Sequence, residues 1–227
     1  MDRGGRLSWD EYSARWTTLH LGVDPRRSST LARRWLRFGY LAGRLLAAIG
    51  VRPGAVTMAG VVVSAAVPVV SLFRGGWLFA AAGLVLLAGL ADSADGAVAV
   101  ITAKTSRLGS FYDSVADRLS EAAWLVSLWL LGAPGWLVTV CGALAWLHEY
   151  ARARAAVAGM TGIGAITVAE RPTRVILVIT ALGLGGVAWF INPHLTPGAV
   201  TVVVSVWVVV GLLGAARLTG AIRTALH

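Results

Sequence analysis

Apolar residues run in long blocks along most of this chain, and polar residues gather between the blocks. Windows long enough to cross a bilayer, roughly 20 residues each, fall at about 54–73, 77–102, 107–132, 134–157, 173–193 and 196–219. Short connections carrying helix breakers separate several of them: Arg74-Gly75-Gly76, Gly132-Ala133-Pro134 and Asn192-Pro193-His194. Ahead of the first window, residues 29–50 alternate Arg33, Arg34, Arg37 and Arg44 with Leu36, Tyr40, Leu41 and Leu45. That is the pattern of an amphipathic helix lying in the membrane interface; a helix packed on a soluble domain is the competing reading. The expected fold is all-α and integral to the membrane, with six transmembrane helices and an N-terminal interfacial amphipathic helix. Residues 1–50 read as a cytoplasmic leader with its juxtamembrane helix, and residues 51–227 as one six-helix membrane domain.

Composition agrees. The 227 residues are 57% hydrophobic with a mean hydropathy of +0.73, which ordinary soluble domains rarely approach. Trp77, Trp136 and Trp189 sit near the ends of apolar windows, where indoles favour the lipid–water boundary. The single cysteine, Cys141, lies inside an apolar run and reads as a buried small hydrophobe, so no disulfide framework is expected.

The net charge of +9 rests on arginine, with Lys104 the one lysine. Ten arginines precede the first window; Lys104 and Arg107 lie between the second and third, and Arg152, Arg154 and Arg171 between the fourth and fifth. The opposite connections hold Arg74 and His194. By the positive-inside rule, both termini belong in the cytoplasm. No secretory signal peptide is evident in the polar first 28 residues, and the expected location is a bacterial cytoplasmic membrane. With no zinc-finger spacing and no RNA-recognition signature, the basic balance points to anionic lipid head groups and not to nucleic acid.

Four aspartates interrupt the second and third windows. Asp92 and Asp95 are three apart, and Asp113 and Asp117 are four apart, so each pair shares one helical face. An Asp at the centre of a membrane helix costs about 2.5–3.5 kcal/mol, so four uncompensated would cost on the order of 10 kcal/mol. The short connection allows the two faces to meet. Like charges so close need cations between them. Oxygen ligands without His or Cys favour Mg²⁺ or Mn²⁺, and a pair of such ions is a common device for phosphoryl transfer. An ion transporter using the same carboxylates is a rival reading, but it would place polar groups near the midplane.

The stretch Asp92-Ser-Ala-Asp95-Gly96-Ala-Val-Ala99-Val100, followed by Gly109-Ser-Phe-Tyr-Asp113-Ser-Val-Ala-Asp117, resembles the signature of the CDP-alcohol phosphotransferase family. All its Asp and Gly positions match in spacing. The resemblance implies transfer of a substituted phosphoryl group from a CDP-diacylglycerol-type donor to the hydroxyl of a small polar alcohol, with release of CMP. It implies two divalent ions held by Asp92, Asp95, Asp113 and Asp117, with Asp117 also acting as general base. Gly96, Ala99, Gly109 and Thr57 would border the donor nucleotide, and a homodimer is expected. Two positions depart from the family pattern: its Arg after Ala99 is Val100 here, and its Asn after Pro53 is Gly54. The alternative they raise is a weakened relative that binds CDP-lipid without turnover.

The segments Tyr150-Ala-Arg152-Ala153-Arg154-Ala155 and Glu170-Arg171-Pro172-Thr173-Arg174 are similar to stretches of bacterial phosphatidylinositol phosphate synthases. That likeness implies a phosphorylated acceptor, inositol phosphate first and glycerol phosphate second, held by Arg154, Arg171, Arg174 and Lys104. Guanidinium forks suit phosphate oxygens. Glu149 is expected to pair with Arg152 three residues on, and His148 to be a polar filler. His20, His194 and His227 carry no site signal.

Overall fold

A computed structural model describes residues 7–19, 24–160 and 167–226, so His20 and His227 lie outside the described residues. Its elements are helical: α1 Trp9–Leu19, α2 Thr30–Ala48, α3 Pro53–Ser71, α4 Trp77–Ile101, α5 Arg107–Leu130, α6 Gly135–Val157, α7 Arg171–Ile191 and α8 Thr196–Leu226. Single 3-10 turns at Pro25–Arg27 and Pro193–Leu195 precede α2 and α8. Four stretches are long and apolar enough to cross a membrane: Pro53–Ser71, Trp77–Ile101, Arg171–Ile191 and Pro193–Leu226. Helices α5 and α6 run 24 and 23 residues, but they carry the charged side chains described below.

Local chemistry sets the helix ends. Ser8 and Glu11 form a capping box at the start of α1: the Glu11 carboxylate accepts the Ser8 amide at 2.7 Å, and Ser8 Oγ accepts the Glu11 amide at 3.3 Å. Ser29 caps α2 by accepting the Ala32 amide at 3.3 Å. Gly50, at φ +79°, closes α2 with a Schellman pair, Val51 N–H to the Leu46 carbonyl and Gly50 N–H to that of Ala47. The same motif ends α4, but there Ala103 holds the left-handed position at φ 53°. An alanine in that conformation costs on the order of 1 kcal/mol, in the turn that carries Lys104.

The chain divides into two compact units. The first comprises residues 1–62 and 87–119, and the second residues 63–86 and 120–227. In the first unit, α2 lies on α4 through Gly39 and Gly43. A Cβ on Gly43 would stand 2.6 Å from that of Ala97, and one on Gly39 would stand 2.9 Å from that of Ser93. This is the small-residue approach typical of membrane helices. Trp35 Nε1 donates to Ser93 Oγ at 2.7 Å beside the same seam. Tyr12, Tyr40, Ala97, Val100 and Ile101 form a buried cluster that binds α1 to α2 and α4.

In the second unit, α8 packs on α6 and α7. Trp124, Leu128, Val178, Leu182, Val204 and Trp207 are among its buried side chains. Thr196 Oγ1 donates to the Gly185 carbonyl at 3.1 Å, tying the start of α8 to α7. Large apolar side chains such as Trp136, Phe190, Ile191 and Val202 are well exposed, as lipid-facing positions are.

Candidate active site

The metal-binding expectation can be followed residue by residue in the first unit. Helix α4 carries Asp92 and Asp95 on one face, and the first turns of α5 carry Asp113. One carboxylate oxygen from each of the three lies within 4.8 Å of the others. Asp95 is 6% exposed, while Asp92 and Asp113 are half-buried. At that spacing, and an effective dielectric of about 20, each anionic pair would repel by roughly 3.5 kcal/mol or more. An all-oxygen donor set with that much unbalanced charge fits a hard divalent cation such as Mg²⁺ or Mn²⁺.

Thr57 of α3 stands against Asp95, its hydroxyl donating to Oδ2 at 2.6 Å. The same hydroxyl is 3.2 Å from the Pro53 carbonyl, so the shorter bond takes the proton. This bond fixes the Asp95 carboxylate in one orientation. Asp117 is not part of the three-carboxylate group among the described residues. It lies one turn farther along α5, half-buried, with Oδ2 3.8 Å from Arg118 Nη2.

A cavity of about 590 Å³ opens beside Asp95 and Asp113. Of the residues nominated from sequence, Thr57, Gly96, Ala99, Lys104 and Gly109 line it as well. Ser106 Oγ accepts the Gly109 amide at 3.0 Å, the N-cap bond that starts α5 at the cavity wall. Gly54 also lines the cavity, and a Cβ built there would meet nothing within 4 Å. Val100 lines it too, yet is 4% exposed, because it packs into the aromatic cluster with Tyr12 and Tyr40. Leu19 is a lining residue that sequence reasoning missed. Nothing in the polar leader tied it to the aspartates.

The second unit holds its own polar cluster. Arg174, nominated from sequence for an acceptor phosphate, is 1% exposed there, with each guanidinium nitrogen hydrogen-bonded. Its Nε donates to the Ala169 carbonyl at 2.9 Å, Nη1 to both oxygens of Glu121 at 3.0 and 3.2 Å, and Nη2 to Glu149 at 2.9 Å. A buried guanidinium needs this many acceptors, and α5 and α6 supply carboxylates for it. Glu149 pairs with Arg174. Arg152 grips Glu170, with Nη2 at 2.6 Å and Nη1 at 3.0 Å.

Glu170, just ahead of α7, also accepts the Thr167 amide at 2.9 Å. Burial alone would raise its pKa, but the bonds from Arg152 and Thr167 outweigh that and hold it below the ordinary value of 4.5. His148 is buried within the cluster, its Nε2 3.4 Å from Thr167 Oγ1. Arg154 is exposed and Arg171 half-buried.

Known proteins resemble this arrangement. The profile of the CDP-alcohol phosphatidyltransferase family matches residues 51–217. The archaetidylinositol phosphate synthase of Pyrococcus horikoshii is 36% identical over 141 residues, covering 61% of this chain and 73% of that one. The solved phosphatidylinositol phosphate synthase of Mycobacterium tuberculosis with CDP-DAG bound superposes with a TM-score of 0.65 at 28% identity, covering 83% of this chain and 95% of that one. Its complex with manganese and citrate gives the same TM-score at 27% identity, covering 82% and 90%. The matched segment takes in every aspartate of the site and the cavity glycines. On that agreement of sequence, fold and acidic cluster, the chain belongs to the CDP-alcohol phosphatidyltransferase family.

Proposed function

We propose that this integral-membrane protein transfers a phosphatidyl group from a CDP-diacylglycerol-type donor to a phosphorylated alcohol, inositol phosphate first and glycerol phosphate second. The observation that carries the reading is the three-carboxylate group of Asp92, Asp95 and Asp113, set beside a cavity of about 590 Å³ with Gly96 and Gly109 in its wall. The relatives support it: those compared are inositol-phosphate-type synthases, one solved with CDP-DAG and also with manganese and citrate.

In this reading the three aspartates, with Asp117 at the margin, hold two Mg²⁺ or Mn²⁺ ions, which supply the positive charge that offsets the donor diphosphate. Thr57 keeps Asp95 oriented toward the group. Asp117 takes the proton of the acceptor hydroxyl. The hydroxyl oxygen then bonds to the phosphorus that bears diacylglycerol, the bond from that phosphorus to the CMP oxygen breaks, and CMP leaves with the electron pair. Lys104, Arg154 and Arg171 are the residues we assign to the acceptor phosphate. Arg174 organises the segment before α7.

Six crossings, with α5 and α6 added to the four most apolar stretches, would bring both termini and the aspartates to the cytoplasmic side, as the arginine distribution predicts. A homodimer completes the reading. Purified protein given labelled CDP-diacylglycerol, divalent metal and a panel of acceptors should release CMP fastest with inositol phosphate. Folded protein that releases none with any acceptor would overturn the proposal. CDP-lipid bound without turnover would point instead to the weakened relative.

A further inference from the structure

Residues 167–170 lead into α7 without being helical, yet Thr167 and Ala169 are buried. Connecting backbone normally runs over the surface, because burial leaves its amides and carbonyls in want of partners. Here two helices and the segment itself supply them. The Thr167 amide donates to Glu170 Oε1 at 2.9 Å, and the Ala169 amide to Thr167 Oγ1 at 3.2 Å. From α7, Arg174 Nε donates to the Ala169 carbonyl at 2.9 Å. From α6, Arg152 holds the Glu170 carboxylate, and His148 Nε2 stands 3.4 Å from Thr167 Oγ1.

Helix α8 supplies the room. A Cβ on its Gly214 would stand 2.4 Å from that of Ala169 and 3.4 Å from Thr167 Oγ1, so any side chain there would displace the segment. Thr167 sits at the centre of the arrangement. Its hydroxyl hydrogen faces Glu170 Oε1 at 3.2 Å and His148 Nε2 at 3.4 Å, while its oxygen takes the Ala169 amide. The bracket ends at Glu170. Arg171 is the next residue, the first of α7, and it is half-buried. A guanidinium carried on a fixed backbone has less freedom to lose when it meets a phosphate.

We infer that Thr167 and Gly214 are positioning residues for the acceptor phosphate: they hold residues 167–170 as a rigid bracket that sets the backbone from which Arg171 reaches its ligand. The inference rests on the assignment of Arg171 to a phosphorylated acceptor. Both residues act through Arg171 and not by contact with substrate. The bracket therefore governs affinity for the acceptor and leaves binding of the donor nucleotide untouched.

The test is a double-mutant cycle on the full-length protein, read by CMP release with inositol phosphate and by Mn²⁺-dependent binding of CDP. Thr167→Val keeps the shape and removes the hydroxyl. It should raise the acceptor KM about tenfold, the scale of one lost buried hydrogen bond, with kcat within about twofold and CDP binding unchanged. Thr167→Ser, which keeps the hydroxyl, should restore the wild-type KM. Gly214→Ala should raise the acceptor KM in the same selective way from the α8 side. On an Arg171→Gln background, Thr167→Val should add less than about twofold, because the side chain it positions is gone. Additive effects of Thr167→Val and Arg171→Gln, or an unchanged acceptor KM in Thr167→Val, would overturn the inference. Loss of CDP binding in Thr167→Val and Gly214→Ala alike would do the same, since it would make the bracket a matter of folding alone. Wild-type protein that releases CMP with no phosphorylated acceptor would remove the acceptor assignment and this inference with it.

Discussion

Asp113 and Asp117 sit one turn apart on α5, and their separate surroundings predict separate defects. Asp113 shares the group with Asp92 and Asp95, whereas Asp117 lies outside it beside Arg118. Asp113→Asn should therefore abolish metal-dependent CDP binding together with activity. Asp117→Asn should keep CDP binding and lose about 10²–10⁴-fold in turnover, the range of a general base; parallel binding and CMP-release assays separate the two. Gly96 gives a second test at this scale. Its Cβ would meet only the Trp16 ring, at an ordinary 3.8 Å, so Gly96→Ala should fold with an unchanged melting temperature. If donor fills the cavity as proposed, the same variant should raise the donor KM. A drop in thermal stability would show that protein packing, and not ligand, requires the glycine.

Between elements, the buried cluster of the second unit governs stability. Removing one partner of a buried ion pair leaves a charge uncompensated and costs about 3–5 kcal/mol. Arg174→Ala should thus lower the melting temperature in detergent sharply, by loss of the contacts to Glu121 and Glu149. Glu170 adds a pH dependence. Its folded pKa is lowered, so its contribution is complete above its unfolded value of 4.5 and is lost as pH falls through the folded value. The stability gap between wild type and Glu170→Gln should hold steady at neutral pH and close on the acid side of 4.5. A gap that widens on acidification would contradict that assignment.

These elements also mark where the sequence was legible. The apolar windows located helices α3 to α7 within a few residues and the start of α8, because long apolar runs mark long helices; α8 itself runs on to Leu226. The Gly39–Gly43 seam went unnoticed, because the arginine and leucine alternation of α2 reads as a surface pattern and the facing Ser93 and Ala97 are distant in sequence. The bonds of Arg174 to Glu121 and Glu149 were illegible for a related reason. Basic residues at the mouth of a span look alike whether they face a ligand or a buried carboxylate from another helix.

Across the whole molecule, the three-carboxylate group draws on both an apolar stretch, α4, and a more polar helix, α5. Helices α5 and α6 are long enough to cross but fall outside the four most apolar stretches, because they hold Asp113, Asp117, Glu121, His148, Glu149 and Arg152. The aspartate spacing was readable because helical periodicity converts residue number into a shared face. What α1 contributes was not readable, since an aromatic cluster between Tyr12, Tyr40 and Val100 exists only after folding. The account as a whole depends on cations gathering Asp92, Asp95 and Asp113. The most direct measurement is anomalous diffraction from crystals of the protein soaked in Mn²⁺. The account predicts an anomalous peak within coordination distance of all three carboxylates. Carboxylates splayed apart with no peak between them would contradict it.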